Sequence, residues 1–242
     1  MPNLLDVAFA LFFAVGVAGA AVLYFDRELK RRIAAGVPNA RLNAYRRATA
    51  VQWALAAAAI VIWSRARRPW RDLGLVPPND WRVYLGVGVM LGVGMLVVRQ
   101  NRAVYRAKPE RLDELAKQIG NVEMILPHNA REFRWFMVLS CTAGVCEELL
   151  YRGFLTWLLV AYVGLPAAIV LVAVVFGVAH AYQGPRGMIK TGVVSLIMSL
   201  IVLGSGWLIP AMVIHALVDI SGGVLGFAVL RRPGAVPAIA TT

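Results

Sequence analysis

Seven stretches of this chain are apolar over lengths close to a hydrocarbon crossing, at 4–25, 48–63, 81–98, 133–163, 165–182, 188–203 and 207–230. A spanning helix needs about 20 such residues, and lipid leaves only helices or closed barrels able to satisfy their own backbone. The chain is 60% hydrophobic and 16% charged. Soluble domains average about 45–50% and about 25%. These features predict an all-α, polytopic transmembrane helical bundle of about seven spans, within a range of six to eight, in the inner or plasma membrane. A length of 242 residues suits one bundle.

The net charge is +12. The basic residues fall between the apolar runs, where they face anionic headgroups and set topology. No basic stretch is interleaved with stacking aromatics on a soluble module, so nucleic acid is not a partner. Seven spans put the N-terminus outside, and the basic stretches 26–47 and 99–132, the Arg186 loop and Arg231–Arg232 inside. The loop 64–80, SRARRPWRDLGLVPPND, breaks this pattern with its arginines. Either it is re-entrant or the span count is wrong by one. Leu112, Leu115, Ile119, Val122 and Leu126 recur at helical spacing and predict an amphipathic helix on the membrane surface. His128 reads as a surface residue. The chain therefore divides into 1–132, spans with basic loops and the interfacial helix, then a core at 133–230, and a short disordered tail at 231–242.

Charge inside the fourth run is the exception that needs explaining. CTAGVCEELLYR, at 141–152, carries Glu147, Glu148 and Arg152. Each costs roughly 2.5–3.5 kcal/mol at the centre of a membrane helix. Glu148 and Arg152 are at i and i+4, with the acid nearer the N-terminus, which favours a self-neutralising pair. Glu147 points about 100° away and needs another partner. Counting along an antiparallel hairpin from the Gly164 turn, Glu147 and His180 lie 17 and 16 residues out, so His180 should be level with it. His180 sits in FGVAH, one turn after Phe176. His215 and Asp219, in HALVD, share a face of the last helix. Counted from the 204–206 turn, His215 is only about 14 Å deep, shallower than Glu147. A tilt, a broken helix or Pro210 must close that gap. Cys141 and Cys146 form no CxxC and read as small buried residues.

A carboxylate beside an imidazole can activate water, and a second imidazole held by a carboxylate can donate to an oxyanion. That is the equipment of a hydrolase attacking a carbonyl. The same groups, Glu147, His180, His215 and Asp219, are candidates for a divalent metal such as zinc. The cofactor is left open, and a water-activating glutamate does not require one. HExxH and GxSxG are both absent from the sequence.

EELLYR at 147–152, FGVAH at 176–180 and HALVD at 215–219 resemble the motifs EExxxR, FxxxH and HxxxN/D of the CAAX prenyl protease 2 type of membrane endopeptidase, in the CPBP or Abi family. The similarity covers about 133–230, and WRDLGL at 70–75 is similar to a segment often found ahead of that core. The resemblance implies an intramembrane polar cavity and cleavage of a peptide bond near the C-terminus of a membrane-associated or lipid-modified protein or peptide. It implies Glu147 as the base with His180 assisting, His215 and Asp219 at the oxyanion, and Glu148, Arg152 and Phe176 shaping the site. The family is described both as metalloprotease and as glutamate protease. Its eukaryotic members carry Asn where this chain has Asp219. The alternative is a non-catalytic immunity or peptide-binding protein using the same cavity. His180, beside a short basic loop, points the site toward the cytoplasmic side.

Overall fold

Apolar runs without water must bond their own backbone, and every regular element of the computed structural model, which describes residues 1–231, is helical. The first is α1, Leu4–Ala34, then α2, Ala40–Arg65, and α3, Arg82–Tyr105. The amphipathic α4 is Pro109–Ile119. A broken rod follows, made of α5, Ala130–Glu147, a π-helical segment, Glu148–Leu155, and α6, Thr156–Val163. Then come α7, Leu165–Ala179, α8, Pro185–Ser205, and α9, Leu208–Leu230. Of these, α1, α2, α3, α8 and α9 are long and apolar enough to cross a membrane. The broken rod and the short α7 complete a bundle of seven apolar passes among the described residues. The tail beyond Arg231 lies outside the described residues.

Helix boundaries differ from the expected ones where local chemistry intervenes. The fifth run was expected to stay helical through 182. It stops at Ala179, with His180 as its C-cap, because Gly184 at φ 83° and Pro185 restart the chain as α8. The amphipathic periodicity is real, but the α-helix ends at Ile119 and continues as a 3₁₀ turn over Gly120–Ile125. Leu112, Leu115, Ile119, Val122 and Leu126 pack together against Val229, Leu225 and Leu230 of α9.

The arginine-rich loop folds back onto the bundle. Its Leu73 is buried at 1% exposure. The Gly74 carbonyl accepts from the Leu208 amide at 2.9 Å. Gly74 has φ +77°, and a Cβ there would meet Leu208 Cγ at 2.9 Å. Irregular backbone at this depth survives because protein surrounds it. One of its basic groups is already neutralised, and its terminal acid pairs with the first residue of α3. Arg68 donates twice to the fully buried Asp6 near the start of α1, at 2.6 and 2.7 Å, beneath the Trp157 ring. Asp80 pairs with Arg82 at 2.9 Å.

His128 is not a surface residue. It is half-buried, its backbone N–H donates to Glu132 at 2.8 Å, and its Nε2 has no partner. Burial, and then Arg41, hold its pKa below the usual histidine value. The neutral ring therefore contributes stability that is fully present above about pH 6.5 and is lost below it, as pH falls through the lowered folded-state value. Hydrogen exchange over 120–132 is expected to quicken on acidification in the wild type and not in His128→Gln. Equal acid sensitivity in the two proteins would count against the ring.

Candidate active site at a helix crossing

The site forms where α9 crosses the broken rod, and a glycine permits the crossing. A Cβ on Gly144 would lie 2.6 Å from the Met212 carbonyl and 2.8 Å from Ala216 Cβ. Small residues allow such backbone approach in lipid. The close contact brings His215 beside Glu147 and Glu148. Gly144→Val is expected to force the helices apart, costing about 1–3 kcal/mol. Thermal unfolding of the detergent-extracted protein measures this, and an unshifted transition would contradict the close-packed crossing.

The depth mismatch of His215 resolves at both helices. Helix α9 does not start at the bundle surface: Leu208 is fully buried beneath the arginine-rich loop. On the other rod, winding widens from Glu148 onward into the π segment, whose eight residues are all buried. Gly153 lies there against the Leu73 carbonyl, 3.1 Å from where its Cβ would be. Single wide turns of this kind occur often at functional sites.

Glu148 and Arg152 form the anticipated i,i+4 pair at 3.0 Å, with exposures of 0% and 1%. The arginine also donates to the Ser195 carbonyl at 3.2 Å and lies 4.4 Å over the Phe176 ring. Glu148 has a further partner that the sequence did not suggest. Its Oε1 is 2.7 Å from His215 Nδ1. The pair therefore fixes the orientation of an imidazole as well as neutralising itself.

Glu147 is approached from a different helix than expected. No hydrogen bond or ion pair among the described residues joins it to His180. Its Oε1 accepts from Gln52 Nε2 of α2 at 2.8 Å. Its Oε2 has no hydrogen-bond partner in the protein and lies 3.9 Å from His215 Nε2. Asp219 Oδ2 is 3.7 Å from the same nitrogen. Both gaps exceed a direct hydrogen bond and lie within ion-pair range of the imidazole. His180 occupies the rim. Its Nδ1 bonds the Phe176 carbonyl at 2.8 Å, and its ring lies 4.6 Å from that of Phe176, which also meets the His215 ring edge-on at 6.1 Å. The antiparallel count paired His180 with Glu147, whereas the helix ends at Ala179 and the His180 ring packs with Phe176 and Tyr182.

Gln52 carries neither a charge nor an imidazole, so charge patterning does not point to it. Its signal was available: it is the one amide in the apolar run 48–63. Next to it, Trp53 donates to Thr142 at 3.2 Å, so α2 and α5 are bonded side by side at this level. Cys141 faces outward and Cys146 is buried in the apolar core.

Among the described residues no three His, Cys, Asp or Glu side chains are grouped closely enough to hold a metal ion. His180 and His215 each bond a protein oxygen through Nδ1.

The model of the family described as Type II CAAX prenyl endopeptidase Rce1-like matches residues 129–221. Over that stretch, which is less than half of its length, the chain is similar to the Rce1-like family. The matched stretch contains Glu147, His180, His215 and Asp219 and ends just beyond the last of them. That similarity is to a family of CAAX-type membrane endopeptidases, and the long apolar helices fit an integral membrane protein. The first three helices, with Gln52, lie outside the match. No curated protein and no solved structure matches the chain.

Proposed function

We propose that this Rce1-like protein is an intramembrane endopeptidase in which Glu147 activates the attacking water. One observation carries the reading: Glu147 has one oxygen tied to Gln52 and the other free, facing the unbonded nitrogen of an imidazole fixed by Glu148. A water between Glu147 Oε2 and the substrate gives its proton to the carboxylate, and its oxygen bonds the scissile carbonyl carbon. The oxyanion meets His215 Nε2, which donates when the imidazole is protonated. Collapse breaks the C–N bond, and the amine departs with the proton held by Glu147 or passed through His180. Asp219, 3.7 Å from His215 Nε2, orients and balances the imidazolium. Here an aspartate serves better than an asparagine, because a carboxylate stabilises the charge it faces. Glu148, Arg152 and Phe176 position these groups. The reaction as written routes no step through a metal.

The substrate is a membrane-associated or lipid-modified protein or peptide cut near its C-terminus. The site opens toward the cytoplasmic face of the inner or plasma membrane. Exposure rises from 0% at Glu148 through 13% at His215 to 37% at Asp219, along α9 toward its C-terminal end. That end shares a face with most of the lysines and arginines, which marks the cytoplasmic side. The test is a comparison of membrane-protein C-termini in cells carrying the wild type or Glu147→Gln. Shortened C-termini should be present only with the wild type. Identical C-terminal sets would overturn the proposal.

A further inference from the structure

Away from the catalytic cluster, the chain builds a basic cleft where two parallel helices begin. Helices α2 and α5 start on the same face of the bundle: Arg41 and Tyr45 of α2 bond the Met124 and Ile125 carbonyls just ahead of α5, and the Tyr45 ring meets Phe136 edge-on. A cavity of about 250 Å³ there is lined by Arg131, Arg134, Trp135 and Val138. The Arg46 guanidinium lies 4.9 Å over the Trp135 ring at the same place.

The three guanidinium groups are uncommitted. The arginine ion pairs of the described residues engage Arg31, Arg32, Arg68, Arg82, Arg111 and Arg152, and none of these three. The nearest carboxylate in sequence, Glu132, is buried and occupied by the His128 amide. Two helix N-termini add their positive ends to the same spot. The cleft therefore attracts an anion. Its continuation is apolar: Val138, Cys141 and Val145 follow Arg134 at helical spacing and all three face outward. A charged mouth leading onto an outward apolar stripe matches an anion attached to an acyl chain.

We propose that Arg46, Arg131 and Arg134, with Trp135, bind the phosphate of one anionic phospholipid, whose chain lies along Val138, Cys141 and Val145. Guanidinium forks suit phosphate oxygens, and tryptophan suits the headgroup level. The inference does not depend on the proteolytic reading.

The test is native mass spectrometry of the delipidated protein in detergent, titrated with phosphatidylglycerol, phosphatidylcholine or inorganic phosphate. One phosphatidylglycerol should bind the wild type in preference to phosphatidylcholine, and excess inorganic phosphate should not displace it. Arg46→Gln/Arg131→Gln/Arg134→Gln should weaken that binding at least about tenfold. Arg99→Gln/Arg102→Gln/Arg106→Gln, which removes as many exposed charges from the same face, should leave it unchanged. Equal weakening in both triple variants would mean diffuse charge and overturn the site. Equal phosphatidylcholine binding, or displacement by phosphate, would overturn the lipid assignment. Arg131 and Arg134 are exposed, so Arg131→Gln/Arg134→Gln serves if the triple variant does not accumulate.

Discussion

Glu147→Gln is expected to lower proteolytic turnover by about 10²–10⁴-fold, the usual contribution of a positioned general base, while the protein stays folded. The substitution is nearly isosteric. An amide oxygen at Glu147 can still accept from Gln52 Nε2, now 2.8 Å from the carboxylate, so the packing of α2 on α5 is kept. What is lost is a group that can take a proton from water. Turnover is read by adding purified wild-type or variant protein to membranes from cells lacking the gene and quantifying new C-termini over time. Thermal unfolding in detergent is the control. Cleavage at the wild-type rate would remove Glu147 from the mechanism, and a collapsed thermal transition would assign it a structural part instead.

The neighbouring carboxylate should behave in the opposite way. Glu148→Ala is expected to destabilise the fold by about 3–5 kcal/mol, the range for breaking a buried ion pair from one side. Arg152, 1% exposed, would be left charged over an aromatic ring with only the Ser195 carbonyl as acceptor. His215 would lose its 2.7 Å bond at the same time. Removing both charges, as Glu148→Ala/Arg152→Met, is expected to recover much of the stability, because an apolar replacement leaves no orphan. It should recover none of the turnover, since nothing then orients the imidazole. A double variant that is both stable and active would show that Glu148 acts on the arginine alone. The cycle of single and double variants separates the two roles.

Much of the bundle was legible because lipid imposes one rule on every span. Apolar length located the five helices long enough to cross a membrane and the shorter apolar helices beside them, and i,i+4 spacing identified the Glu148–Arg152 pair. The sequence was less informative wherever a side chain's direction depended on a neighbouring helix. Whether Glu147 meets His180 or His215 turns on the break at Ala179, set by Gly184 and Pro185, and on the π segment at Glu148, packed against the loop at Leu73. Gln52 is uncharged, so its cost in lipid is small and its signal correspondingly weak. The arginines of 64–80 seemed to contradict the topology because sequence cannot show that Asp6 neutralises Arg68.

The arginine-rich loop also carries information about how the protein is made. Leu73 and the Gly74 carbonyl rest on Leu208, which follows Gly74 by 208 − 74 = 134 residues. At the synthesis rates of about 5–20 residues per second, the loop waits several seconds with a buried-type leucine and a free carbonyl before its seat exists. The last helix therefore completes the seat, and a chain truncated before residue 208 leaves the Gly74 carbonyl without its partner. Such a nascent chain would be recognisable to membrane quality control by that unseated segment.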